Sequence, residues 1–191
     1  MIPSIERLNV FTNTWETVYN WEDPTSDGVA FANDTRYLYI VGGYNNDYSQ
    51  SLNYMYKFDT QLKVMGAATP MHVGRGDTGL TVLGGNVYVL GGWSVPDFCE
   101  PKKTTEKYAP TRSQWTELPD MLFGRGDLAV ATLGGYVFAI AGETKDAQCN
   151  LSVPVPYVSR YSPANNDWHV ELSAWFTILN TVFVNQHLLL I

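Results

Sequence analysis

Apolar residues in this chain gather into short runs of two alternating kinds. In the first kind a basic residue is followed by a large apolar one, and seven residues later by a bulky apolar anchor: Arg7-Leu8 with Trp15, Lys57-Phe58 with Met65, Lys107-Tyr108 with Trp115, and Arg160-Tyr161 with Trp168. These units are 50, 50 and 53 residues apart. The second kind is a strand-like run closed by two small residues: YLYIVGG at 37–43, NVYVLGG at 86–92 and YVFAIAG at 136–142. A period near 50 residues marks a repeat protein.

One period resolves into strands and turns. Residues 76–92 hold two apolar runs separated by Gly84-Gly85-Asn86, and residues 126–142 repeat this with Gly134-Gly135 at the reversal. Successive residues with access to positive φ let a chain reverse within two or three positions, so each segment predicts a hairpin. In the first copy, Asn33-Asp34-Thr35 supplies a longer polar turn. Each small-residue pair is followed by a long polar loop and then by a second strand pair, as in TTEKYAP at 104–110 and QWTEL at 114–118. Four short strands in roughly 50 residues, with almost no amphipathic helix, predict an all-β propeller of four-stranded antiparallel blades. The paired aromatics Tyr108 with Trp115 and Tyr161 with Trp168 are expected to fill the space between blades.

A hydrophobic run, a diglycine and a spaced Tyr and Trp, recurring in phase, resemble the kelch motif over about residues 5–191. Three positions depart from it: Ala141 replaces the first Gly of the third doublet, Met65 replaces one Trp and Leu8 replaces one Tyr.

The phase places one propeller region over 1–191, with a half-blade at 4–18, blades at about 27–68, 77–118 and 127–170, and a half-blade at 179–191. Either the two half-blades join to close a ring of four, removing exposed strand edges, or the chain is an incomplete piece of a larger propeller. The resemblance favours a piece, because kelch propellers usually have more than four blades. Residues 176–178 also lack the Arg-Gly-Asp that leads into the second and third full blades.

Antiparallel alternation puts the connection from strand four to the next strand one at the same end as the strand 2-3 loop. The first carries Gly-Arg-Gly-Asp at 74–77 and 124–127, and the second is long at 44–53, 93–104 and 143–156. Long loops on a rigid scaffold are where binding usually resides. Arg75, Arg125, Trp93, Tyr44, Tyr48 and Phe98 are therefore the candidate protein-binding residues. Each Arg-Gly-Asp leads into an inner strand, so it is read as structural. Asp27, Asp77 and Asp127 are expected to bond backbone groups, and the arginines to meet either those aspartates or an acidic partner.

Composition narrows the functional classes. Lys+Arg 12 against Asp+Glu 19 gives a net charge of -7, which argues against nucleic acid, whose binding rests on neutralising phosphates. The most apolar stretch, 174–191, is broken by Asn180, Asn185, Gln186 and His187, so no segment is expected to insert in a membrane. The start, MIPSIERLNV, shows no signal peptide. The reading leans to the cytoplasm, with an extracellular site left open if the N-terminus is incomplete. Cys99 and Cys149 lie 50 residues apart. Equivalent points on neighbouring blades are about 10 Å apart or more, beyond the roughly 7 Å Cα limit for a bridge, so a thiol pair is expected unless the loops close the gap. The sequons at Asn33 and Asn150 matter only in a secreted protein.

The resemblance also admits enzymes, notably galactose oxidase-like copper enzymes and some sugar isomerases. His72, His169 and His187 sit at unrelated repeat phases and form no ligand spacing, so no metal or other cofactor is expected. Glu100, Glu106, Glu117 and Glu143 are dispersed and read as solvated charges on blade edges, which leaves no catalytic residue to name. The expected function is a non-catalytic scaffold for a protein partner of unknown identity. The alternative is a fragment of a carbohydrate-active enzyme or small-ligand binder.

Overall fold

The computed structural model describes residues 4–22, 25–32 and 35–173. The second half-blade, the Asn33-Asp34 turn with its sequon, and His187 lie outside the described residues. Every element within them is a β-strand. β1 (Ser4–Asn9) and β2 (Thr14–Asn20) form a two-stranded half-blade. Blade A follows as β3 (Val29–Ala32), β4 (Tyr37–Val41), β5 (Met55–Asp59) and β6 (Val64–Ala68). Blade B is β7 (Gly79–Leu83), β8 (Asn86–Leu90), β9 (Thr105–Ala109) and β10 (Gln114–Leu118). Blade C is β11 (Ala129–Leu133), β12 (Tyr136–Ile140), β15 (Tyr157–Ser162) and β16 (Asp167–Ser173). Its strand 2-3 connection, expected as a plain loop, contains a further hairpin of β13 (Glu143–Lys145) and β14 (Ser152–Pro154).

All pairings are antiparallel and join consecutive strands of each blade. The basic-aromatic units are registered across strands three and four, with Leu8 opposite Trp15, Phe58 opposite Met65, Tyr108 opposite Trp115 and Tyr161 opposite Trp168. The turns between them reuse short-range polar bonds: Asn9 Oδ1 accepts from the amides of Phe11 and Thr12, and Asp59 Oδ1 from those of Gln61 and Leu62.

Strand two of blade B feeds two cores at once. Val87 and Val89 pack with Phe31, Val41, Met55, Tyr108 and Trp115 at the junction with blade A. Tyr88 and Leu90 pack with Leu128, Val137, Tyr161 and Trp168 at the junction with blade C. Side chains of a strand alternate between faces, and both faces are covered here, so the run is apolar without interruption. Each buried Tyr or Trp anchor contributes on the order of 2 kcal/mol of apolar burial. Trp115 and Trp168 also donate their indole N–H to the preceding blade, at Thr69 O (2.8 Å) and Pro119 O (3.0 Å). Trp15 has no described blade before it, and it is 66% exposed where its equivalents are 4% and 8% exposed.

The inner strands stand side by side around the axis. The amide of Asp77 donates to Asp27 O at 3.1 Å, and that of Asp127 to Asp77 O at 2.9 Å. The diglycines lock each blade to the next: Gly43 donates to Arg75 O and Gly92 to Arg125 O. A β-carbon on Gly42 or Gly91 would strike that same carbonyl, and both take positive φ, at 67° and 64°. Ala141 occupies the third such position at φ 52°.

Candidate functional site

The residue after each diglycine is built into the space between blades. The ring of Tyr44 covers Gly76 and that of Trp93 covers Gly126, so closely that a β-carbon on either glycine would collide with it. Tyr44 Oη donates to Asp77 Oδ2 at 3.1 Å, and the Trp93 indole is hydrogen-bonded to Asp127. Asp27 accepts from Ser26 Oγ at 2.7 Å and from Tyr48 Oη at 2.6 Å. The partners of these three aspartates are therefore side chains, chiefly aromatic ones from the strand 2-3 loops, instead of the backbone groups expected from the sequence. Tyr44 and Trp93, expected on the binding surface, are buried supports beneath it.

The aspartates also crowd one another. Burial first, and then the charges of Asp127, Asp27 and Glu143, push the Asp77 carboxyl up to about 6, against the opposing hydrogen bond from Tyr44. Burial also raises the Asp127 carboxyl. Burial and the neighbouring Asp77 carboxylate hold the Tyr44 phenol well above its usual range, which keeps it a donor.

Arg75 and Arg125 point into the blades and not toward a partner; both are 0% exposed. Arg75 gives Nη1 to Gly91 O and Thr104 O, and Nη2 to Glu106 Oε1 at 2.9 Å. Glu106, read from the sequence as a solvated charge, is wholly buried. It also accepts from the amides of His72 and Val73 and holds His72 Nδ1 at 2.8 Å. Arg125 gives Nη1 to Ala141 O and Tyr157 O and Nη2 to Ser159 Oγ, with no carboxylate in reach among the described contacts. Burial pulls its guanidinium down to about 10. Neither arginine touches the aspartates, because each side chain runs to strand three of its own blade.

Two of the six candidates remain on the surface. Tyr48 is 44% exposed and Phe98 is 36% exposed. They flank Tyr44, with ring centroids 5.2 Å and 5.7 Å from it, so one buried ring seats both. Phe98 precedes Cys99, and Cys99 is disulfide-bonded to Cys149 with a Cα separation of 5.3 Å. This corrects the expected thiol pair. Sheet spacing constrains the strands, whereas both cysteines stand on connections free to converge. Among the described residues no group of three or more His, Cys, Asp or Glu is placed to hold a metal ion.

The geometry agrees with the comparisons. The Kelch motif matches residues 28–63 and 74–122, which cover blade A through strand three and all of blade B. Those two segments carry kelch motifs. A solved structure, "Structure of YjhT", superposes with a TM-score of 0.69 at 17% identity, over 84% of this chain and 56% of that one. The kelch region described here thus spans little more than half the length of that neighbour, and the likeness establishes the kelch-type propeller fold. No helix among the described residues is long and apolar enough to cross a membrane.

Proposed function

We propose that this chain is a non-catalytic kelch scaffold that binds a protein partner through the face carrying the strand 2-3 and 4-1 loops. Kelch propellers are commonly used for protein interaction, and fold by itself does not name a function. One observation carries the reading: Tyr48 and Phe98, from the strand 2-3 loops of two different blades, are both exposed and both pack on the buried ring of Tyr44. Rigidly seated aromatics lose little entropy on binding and are enriched among residues that dominate interface energies. Arg75 and Arg125 are assigned to the scaffold beneath.

The test is affinity capture with the intact chain, its Tyr48→Ser/Phe98→Ser variant, and Leu133→Ser, which alters an exposed side chain at the end of β11, beside the 1-2 turn of blade C and at the other end of the blades. Loss of a reproducible partner with the double variant and its retention with Leu133→Ser is the expected result. Equal retention by both would remove the binding face, and turnover of a carbohydrate by the purified chain would remove the non-catalytic assignment.

A further inference from the structure

The loop face has an ordered rim whose two halves are joined by a single covalent tie. In the 93–104 connection the ends are anchored: Val95 donates to Ser51 Oγ, Ser94 Oγ to Gly74 O, and Lys102 to Gly92 O. Between them, residues 96–100 are exposed, and their hydrogen bonding is local, from the Cys99 amide to Asp97 Oδ1. The turn of the inserted hairpin is likewise self-contained, with Asp146 Oδ1 accepting from Asn150 and Leu151. Among the described residues no hydrogen bond, ion pair or ring contact joins 96–101 to 146–151. The Cys99–Cys149 bond joins them. Both cysteines are exposed, and Cys99 lines an open cavity of about 240 Å³ with Glu100, Pro101, Lys103, Gly124 and Thr144.

We propose that this disulfide is a redox-sensitive clasp that fixes the Phe98-bearing stretch and so sets the presentation of the loop face. An accessible disulfide is open to exchange. The thiolate of a small dithiol attacks one Sγ, the Cys99–Cys149 bond breaks, and a mixed disulfide forms. The reagent's second thiol then displaces the remaining cysteine. Two electrons pass to the protein, which ends with two thiols, while the reagent ends as its own cyclic disulfide. Afterwards residues 96–101 keep their anchored ends, and Phe98 keeps only its ring contact with Tyr44. The strands beneath are held by ladders and cores that the bond does not join.

As a control over partner binding the clasp rests on the reading above, but as a property of the loops it stands apart. The test therefore uses no partner. Amide hydrogen exchange is followed by mass spectrometry on the intact chain, oxidised and in dithiothreitol, and on the Cys99→Ser/Cys149→Ser variant. Exchange about tenfold faster at 97–100 and 147–151 is expected in both the reduced and the variant chain, with β9 and β15 unchanged. Unchanged exchange in the loops would overturn the clasp. So would acceleration throughout the blades, which would make the bond a general staple, or recovery of two alkylatable thiols from the aerobically purified chain. Captured partner lost on reduction, but kept by a Tyr48→Ser/Phe98→Ser chain, would leave the clasp standing and remove the aromatic face.

Discussion

The two junctions between blades start from nearly the same sequence and reach different electrostatic solutions. Met71 to Asp77 and Met121 to Asp127 share Met, Gly, Arg, Gly and Asp at equal positions, and in both the arginine is buried with its guanidinium turned to strand three. At the first junction strand three offers Glu106, which neutralises Arg75 and gathers His72 and Val73 around itself. At the second it offers Ser159, and among the described residues the hydrogen bonds of Arg125 go to backbone carbonyls and a hydroxyl. His72 and Leu122 follow suit, since an imidazole is useful only where a carboxylate faces it. A repeat thus preserves the geometry of a joint while leaving its charge balance free to drift.

Among the charge-balance variants the largest effect should come from Glu106→Gln, which strands a buried guanidinium. A loss of about 3–5 kcal/mol in denaturant unfolding is expected, against about 1 kcal/mol for Ser159→Ala, which removes one neutral hydrogen bond. Equal losses would break the comparison. Ser159→Glu sharpens it from the other side: a carboxylate delivered to Arg125 should raise stability by about 1–2 kcal/mol, and a fall would mean that the second junction has packed its space shut.

A smaller effect belongs to the aspartates below the loop face. The folded Asp77 pKa of about 6 exceeds its ordinary value of 3.8, so the folded state holds that proton more tightly. Its stabilising contribution is complete below about pH 4 and is lost as pH rises through 6. Asp77→Asn, which keeps an acceptor for Tyr44, should match the parent at pH 4 and exceed it by about 2 °C in Tm above pH 6, once solvent screening is allowed for. Parallel melting curves across that range would remove Asp77 as the source. The smallest change is expected from Trp15→Ala, below about 0.5 kcal/mol in this chain because the ring is exposed. Trp115→Ala should cost about 3–5 kcal/mol.

The strand phase was legible because it is local and repeated. The hairpin turns at Gly84-Gly85 and Gly134-Gly135 and the pairing of Tyr108 with Trp115 follow from residues close in sequence. The site was legible only in part. Tyr48 and Phe98 are presented as the loop lengths suggested, whereas Arg75 looked like a surface residue because its partner Glu106 lies 31 positions away. A signal did exist: Glu106 alternates with Lys107 next to an aromatic anchor, in a strand central to its blade, where an unpaired carboxylate would be costly.

By itself the amino-acid sequence determined the repeat, the four-stranded blade and the turn chemistry, since φ preferences and side-chain alternation act over a few residues. Tertiary packing decided what those elements present. It turned two arginines and two aromatics inward, left two aromatics outside, and brought Cys99 to Cys149, because each outcome depends on how closely one blade approaches the next.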